Sequence, residues 1–295
     1  FTISRGAKTE ARVVVARVSE NGLTGQGECV PYARYGENEK DVLAAIKGQQ
    51  QAIADGMSRE ELQRAMPRGA ARNALDCALW DLEAKLAGKP AWELASLTAP
   101  RALTTAYTLS LAAPDDMREA AAKAAKRPIL KLKLGQGGDE DVARVEAVRA
   151  GAPNAALIVD ANEGWKPEDV LPLAREFARL GVSLIEQPLP AKDDEVLRGI
   201  ESPVPLCADE INVKLDKTGG LTEALAVIRC AKLRKLRVMV GCMVATSLAM
   251  APAMLVAQQA DYVDLDGPLL LAKDREPALR YEGSLVYPPE RELWG

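Results

Sequence analysis

Ile129-Leu130-Lys131-Leu132-Lys133-Leu134 is the stretch on which the reading of this chain turns. Its strict alternation predicts a strand with Lys131 and Lys133 on one side and the leucines on the other. The ordinary reading is a half-exposed edge strand. In a closed barrel, by contrast, the two faces are the packed interior and the helix layer, and lysine belongs in neither without a purpose.

Working outward, short apolar strands alternate with amphipathic helices from Thr104 onward. The strands expected are Thr105–Leu111, Ile129–Leu134, Ala156–Val159, Val182–Ile185, Val204–Cys207, Ile211–Leu215, Val238–Val240 and Tyr262–Leu265. Helices are expected over Asp139–Arg149, Pro167–Leu180 and Leu221–Leu236. Repeated strand–helix units imply a parallel sheet, and eight of them imply a (β/α) barrel; a doubly wound open sheet is the rival. One junction breaks the pattern. Ala208-Asp209-Glu210 ends a strand and Ile211 opens the next, whereas a parallel crossover needs a dozen residues or more. The expectation is a broken barrel here, or a loop and helix lost between Glu210 and Ile211.

The first hundred residues read as an α+β domain. Val13 to Val18 is a β-branched run, Gly22 to Gly27 resembles a turn, and Glu28 to Tyr32 is placed to close a small antiparallel sheet. Helical periodicity follows over Lys40–Ile53, Ser58–Met66 and Ala70–Leu86. Ser58 and Glu61 make a capping box, and Gly88 and Pro90 end the third helix.

The chemistry gathers at strand ends, which converge on one face of a barrel. Asp160, Glu186 and Asp209 end successive strands at spacings of 26 and 23 residues, about one strand–helix unit each. Three clustered carboxylates repel unless a hard cation lies between them, and an all-oxygen donor set suits Mg²⁺. Taken singly, each acid is an ordinary helix cap or solvated turn. Lys214-Leu215-Asp216-Lys217 is expected to end another strand, with Lys217 reaching the same face. A lysine desolvated beside another ammonium and a metal has a lowered pKa and can serve as a base. Asp264 and Asp266 share a face at the last strand end and suit a cationic group, unless Asp266-Gly267 is merely a turn.

Composition narrows the classes. The 295 residues are 48% apolar and 27% charged with a net charge of −4, ordinary for a globular protein. No basic patch suits nucleic acid, no apolar run reaches membrane-spanning length, and no signal-peptide pattern opens the chain. Cys29, Cys77, Cys207, Cys230 and Cys242 are irregularly spaced, which fits small buried hydrophobes in a reducing cytoplasm better than disulfides or a thiolate zinc site. Histidine is absent from these residues, leaving Lys, Asp, Glu, Tyr or Cys as general bases.

These residues, in this order, resemble the enolase superfamily, and within it the muconate-lactonizing subgroup. The likeness covers nearly the whole chain and includes Gly69-Ala-Ala-Arg-Asn-Ala-Leu-Asp-Cys-Ala-Leu-Trp-Asp-Leu82, which looks like that family's capping-domain helix. Lys214-Leu-Asp-Lys-Thr-Gly-Gly220, Gly241-Cys-Met243 and Asp264-Leu-Asp-Gly267 look like the dipeptide epimerases. The resemblance implies an α+β capping domain over 1–100, joined by the tail 270–295, and a modified (β/α) barrel over 101–269. It implies Mg²⁺ on Asp160, Glu186 and Asp209, with Lys133 and Lys217 as the two acid/base groups. Lys131 would help neutralise an enediolate, and Asp264 and Asp266 would hold a dipeptide ammonium. Lys8, with Arg5 nearby, falls where the family contacts the glutamyl side chain. Arginine is expected there, and lysine cannot make its planar two-point contact. The implied reaction interconverts L-Ala-D-Glu and L-Ala-L-Glu, a murein-peptide step in cell-wall recycling, in a cytoplasmic enzyme with room for homo-oligomerisation. Muconate cycloisomerisation and o-succinylbenzoate synthesis are the nearest alternatives, and their substrates carry no ammonium. A non-catalytic peptide-binding barrel is the alternative of another class.

Overall fold

The computed structural model describes residues 2–3, 6–7, 9–208 and 212–295. The chain divides into two compact units, residues 1–9 with 106–212 and residues 10–105 with 213–295.

The first unit is built on a five-stranded sheet. Tyr107–Leu109, Ile129–Lys133, Ala156–Asp160, Val182–Glu186 and Leu206–Cys207 lie side by side in chain order, and each neighbouring pair is parallel. Helices Pro114–Lys123, Gly138–Gly151 and Pro167–Arg179 connect them. The helices start and stop where local chemistry directs. Proline opens two of them, acids occupy each first turn, and Lys123, Arg149 and Arg179 sit in the last turns, complementing the helix dipole. Leu130, Leu132 and Leu134 are fully buried in a core with Val145, Phe177 and Ile185. The opposite side of the same strand is just as dry: Lys131 is 1% and Lys133 9% exposed. The half-exposed edge strand is thereby excluded.

In the second unit, Val14–Glu20 pairs antiparallel with Leu23–Cys29 through Asn21-Gly22. Both turn residues have positive φ, the two-residue geometry whose twist suits a hairpin. The expected turn over Gly22–Gly27 is therefore mostly strand. Gly25 and Gly27 are there for packing, because a Cβ at either would lie 2.1 Å from the carbonyl oxygen of Ala78 or Ala74 on the helix Ala70–Ala87. That helix ends at Gly88 in the left-handed conformation, and Ser58 forms the expected capping box on Arg59–Ala65. The long helix expected over Lys40–Ile53 is two, Glu39–Gly48 and Gln50–Ala54.

Asn212–Val213, Met239–Gly241 and Tyr262–Asp264 form a three-stranded sheet in that order, with the last two parallel. Leu221–Leu233 and Ser247–Ala257 are its helices. All eight expected strands are thus present, some shortened. The strand expected over Ile211–Leu215 needs correcting: Ile211 lies outside the described residues, and Leu215–Thr218 is a helical turn closed by Thr218 N–H donating to Lys214 O (3.0 Å) and Gly219 N–H to Leu215 O (2.8 Å). The tail returns as the hairpin Tyr281–Glu282/Leu285–Val286, which pairs antiparallel with Leu103–Thr104. Buried Trp294 then donates through Nε1 to Cys77 O at 3.0 Å. Among the described residues no helix is long and apolar enough to cross a membrane. Cys29, Cys77 and Cys207 are buried, Cys242 is partly so, and Cys230 is exposed.

Candidate active site

Within the first unit, strand register does the first part of the assembly. Lys133 pairs with Asp160 and Asp160 with Glu186, so three side chains from adjacent parallel strands meet at one sheet end. Lys133 Nζ lies 2.5 Å from Asp160 Oδ2, and Lys131 Nζ lies 2.7 Å from Glu186 Oε2 and 3.5 Å from Asp160 Oδ2. Asp160 and Glu186 are 2% and 1% exposed. Two buried anions matched by two buried cations satisfy the demand for pairing that charge burial imposes.

The remaining lone pairs are also used. Asn162 N–H donates to Asp160 Oδ1 at 3.0 Å, and Asn212 Nδ2 donates to Glu186 Oε1 at 2.6 Å. Asn162, Glu163 and Gln187 have positive φ just past the strand ends, the backbone strain often found at functional sites. Asn162 and Asn212 were not expected from sequence; each looks like a turn or strand residue until the neighbouring carboxylate is in place. The loop after Lys133 is held by Asp141. Its Oδ2 accepts from the N–H groups of Gly135, Gln136 and Gly137 (3.1, 3.1 and 2.8 Å) and from Trp165 Nε1 (2.9 Å), while Oδ1 accepts from Arg144 (3.1 Å).

The second unit brings together Lys214, Cys242, Asp264 and Asp266. Lys214, Asp264 and Asp266 are 8%, 4% and 2% exposed, and Gly241 pairs in register with Asp264. Leu265 sits between the two acids and is pinned on both sides: its N–H donates to Thr105 Oγ1 (2.8 Å) and its C=O accepts from Tyr281 Oη (2.7 Å). Both carboxylates are therefore set by backbone anchors. Burial, reinforced by Asp264 and Asp266, pushes the Cys242 thiol well above its ordinary range, so it is no thiolate nucleophile. Lys217 was expected at a strand end. It lies instead in the last turn of the short helix Leu215–Thr218 and is partly exposed, while buried Lys214 directly follows the strand. Asp209, Arg5 and Lys8 lie outside the described residues.

The donor chemistry fits a hard divalent cation. Asp160 and Glu186 offer adjacent carboxylate oxygens, and Asn212 Oδ1 is buried with no hydrogen-bond partner among the described residues. Among the described residues no group of three metal-binding side chains forms.

Residues 116–213 match the model described as Enolase C-terminal domain-like, and residues 1–95 match that of the Mandelate racemase / muconate lactonizing enzyme, N-terminal domain. The L-Ala-D/L-Glu epimerase of Escherichia coli (strain K12) is 44% identical over 300 residues, covering 95% of this chain and 93% of that protein. The N-acetyl-D-glutamate racemase of a Pseudoalteromonas species is 42% identical over 302 residues, covering 96% and 95%. A crystal structure of an enolase family member from Agrobacterium tumefaciens, with homology to dipeptide epimerases and with bound sodium and L-Ala-L-Glu, superposes with a TM-score of 0.97. Its identity is 53%, covering 100% of this chain and 95% of that one. The fold class is accordingly α/β, a barrel-like domain with an N-terminal α+β capping domain. Sequence, fold and relatives agree that this chain belongs to the enolase superfamily and is an isomerase of the epimerase type.

Proposed function

We propose that the enzyme epimerises the C-terminal residue of dipeptides, interconverting L-Ala-D-Glu and L-Ala-L-Glu. The observation that carries this is the buried Asp160–Glu186 pair bracketed by Lys131 and Lys133. Relatives acting on L-Ala-D/L-Glu support the substrate. Asp160, Glu186 and Asp209 are assigned to Mg²⁺, which when bound would supply divalent charge for the substrate carboxylate.

An α-proton beside a carboxylate is very weakly acidic, so the enediolate needs compensating positive charge, a role assigned to Lys131. Lys133 Nζ, as the free amine, takes the proton from one side of the α-carbon. A second lysine, as ammonium, returns one from the other side. The sequence assigns that second role to Lys217. Burial and position at the strand end favour Lys214, and Lys217 is the alternative. Asp264 and Asp266 receive the dipeptide ammonium, and Arg5 and Lys8 the glutamyl carboxylate. The capping domain is proposed to span 1–100 with the tail 270–295, and the barrel 101–269. A role in recycling murein peptides in the cytoplasm follows from this substrate.

The racemase that acts on N-acetyl-D-glutamate favours a second reading, in which the amine is acylated. Turnover of L-Ala-D-Glu and of N-acetyl-D-glutamate should be compared before and after EDTA, and again after adding Mg²⁺. Strong preference for the free amine, lost in EDTA and restored by Mg²⁺, is expected. Full activity in metal-free enzyme sinks the metal assignment. Preference for the acylated substrate sinks the ammonium role of Asp264 and Asp266.

A further inference from the structure

Lys214 and Lys217 flank Asp216 in one helical turn, and that turn is gripped by the helix Ala70–Ala87. Arg72 donates through Nε to Gly219 O (3.1 Å) and through a terminal nitrogen to Thr218 O (2.7 Å). Asn73 Nδ2 donates to Asp216 Oδ1 (2.9 Å), which also accepts from Val30 N–H (2.9 Å). Asp76 Oδ2 accepts from Thr222 N–H at 2.9 Å, capping the helix Leu221–Leu233 that follows. Arg72, Asn73 and Asp76 are 4%, 2% and 0% exposed.

At two positions of the turn the approach leaves no room for a side chain. A Cβ at Gly219 would lie 2.5 Å from Arg72 Nε, and one at Gly220 2.4 Å from Asp76 Oδ2. Burying a guanidinium, an amide and two carboxylates costs more than burying apolar side chains of the same size, unless every group is bonded. Apolar contacts would hold the two segments together and still let them slide, whereas directional hydrogen bonds set a single register.

We propose that Arg72, Asn73 and Asp76 are positioning residues for the second acid/base lysine, acting through the Asp216–Thr222 turn. The proposal rests on the two-lysine reading above. It assigns the capping-region helix a part in proton transfer on one side of the α-carbon only. The residues on the Lys133 side take their anchors elsewhere, so disturbing this clamp should leave that side working.

The test is α-deuterium exchange in D₂O, followed separately on L-Ala-L-Glu and L-Ala-D-Glu with the Mg²⁺-loaded enzyme. Lys133→Ala, Lys214→Ala and Lys217→Ala first identify which epimer each lysine serves. Asn73→Ala and Arg72→Lys should then slow exchange about 10- to 100-fold on the epimer that needs the Lys214–Lys217 segment, since small misplacements of a reacting group cost rates of this order. Exchange of the other epimer should change less than about threefold, with KM nearly constant. Asp216→Ala should repeat the one-sided loss, and Asp216→Asn, which keeps an acceptor oxygen, should restore both rates. Should Asn73→Ala fail to fold, the Asp216 pair decides by the same criterion. Equal slowing of both epimers, beside one-sided lysine variants, overturns the positioning role. Lysine variants that each lose both epimers equally overturn the two-lysine reading and this inference with it, so the two failures are told apart.

Discussion

The loop after Lys133 is pinned by a carboxylate eight residues further on, whereas the turn after Lys214 is pinned by side chains more than 140 residues earlier in the chain. In the first case the anchor, Asp141, lies in the first turn of the next helix and gathers three successive N–H groups of the connecting loop. The unit of strand, loop and helix holds its own lysine in place. In the second case the turn acquires its anchors only when the helix Ala70–Ala87 has packed against it. Local anchoring makes a segment rigid by itself. Distant anchoring makes its geometry conditional on another part of the fold, so a substitution far away in sequence can disturb the chemistry.

Three measurements break or sharpen this contrast. The largest effect belongs to the lysine itself. Lys133→Ala should lower inversion by about 10³-fold or more, as expected on removing a general acid/base, while exchange persists on one epimer. Inversion near the wild-type rate would remove Lys133 from the reaction and leave the comparison without its first member.

Next comes the local anchor. Asp141→Ala leaves the loop N–H groups, the Trp165 indole and the Arg144 guanidinium short of a partner in a buried place. Losing a fully buried, charge-paired acceptor should cost about 3 kcal/mol in urea unfolding. Exchange should fall on the Lys133 side, opposite to the effect expected of Asn73→Ala. A loss below about 1 kcal/mol would mean that the loop does not depend on its own carboxylate.

The smallest effect tests the distant anchor through pH. Burial pushes the Asp216 carboxyl up to about 7, against the hydrogen bonds from Val30 and Asn73. A carboxyl whose folded pKa is raised stabilises the fold below its unfolded value near 4, and that contribution is lost as pH rises through 7. Wild type should therefore lose roughly 2 to 3 kcal/mol relative to Asp216→Asn between pH 5 and 8. Parallel stability profiles for the two proteins would show that the Asp216 charge does not oppose the clamp.

Much of the fold was legible in the chain because its signals are local. Alternating Lys131 and Lys133, apolar runs ending in acids, the Ser58 capping box and the Gly88 stop each depend on a few neighbouring residues, and each element appears near its expected place. Misreadings came where a local signal has two physical causes. Glycines at 25 and 27 look like turn residues, yet they serve close packing against a helix. Lys214-Leu-Asp-Lys217 alternates like the end of a strand, yet past Val213 it folds into a helical turn closed on the Lys214 carbonyl. That difference moves the buried lysine from position 217 to position 214.

By itself, the sequence determined that Lys131 and Lys133 share one side of a strand, because side-chain direction in a strand has period two and needs no partner to be read. It also determined the charge inventory: acids and lysines at strand ends, and no histidine to share their work. Only the tertiary structure decided which oxygen meets which ammonium. The 2.7 Å contact of Lys131 with Glu186 depends on parallel register across three strands. Only the tertiary structure, too, gave Arg72, Asn73 and Asp76 their partners. In the helix they are ordinary polar residues on one face; their buried bonds exist because a turn from far along the chain packs against them, with room at positions 219 and 220 for glycine alone.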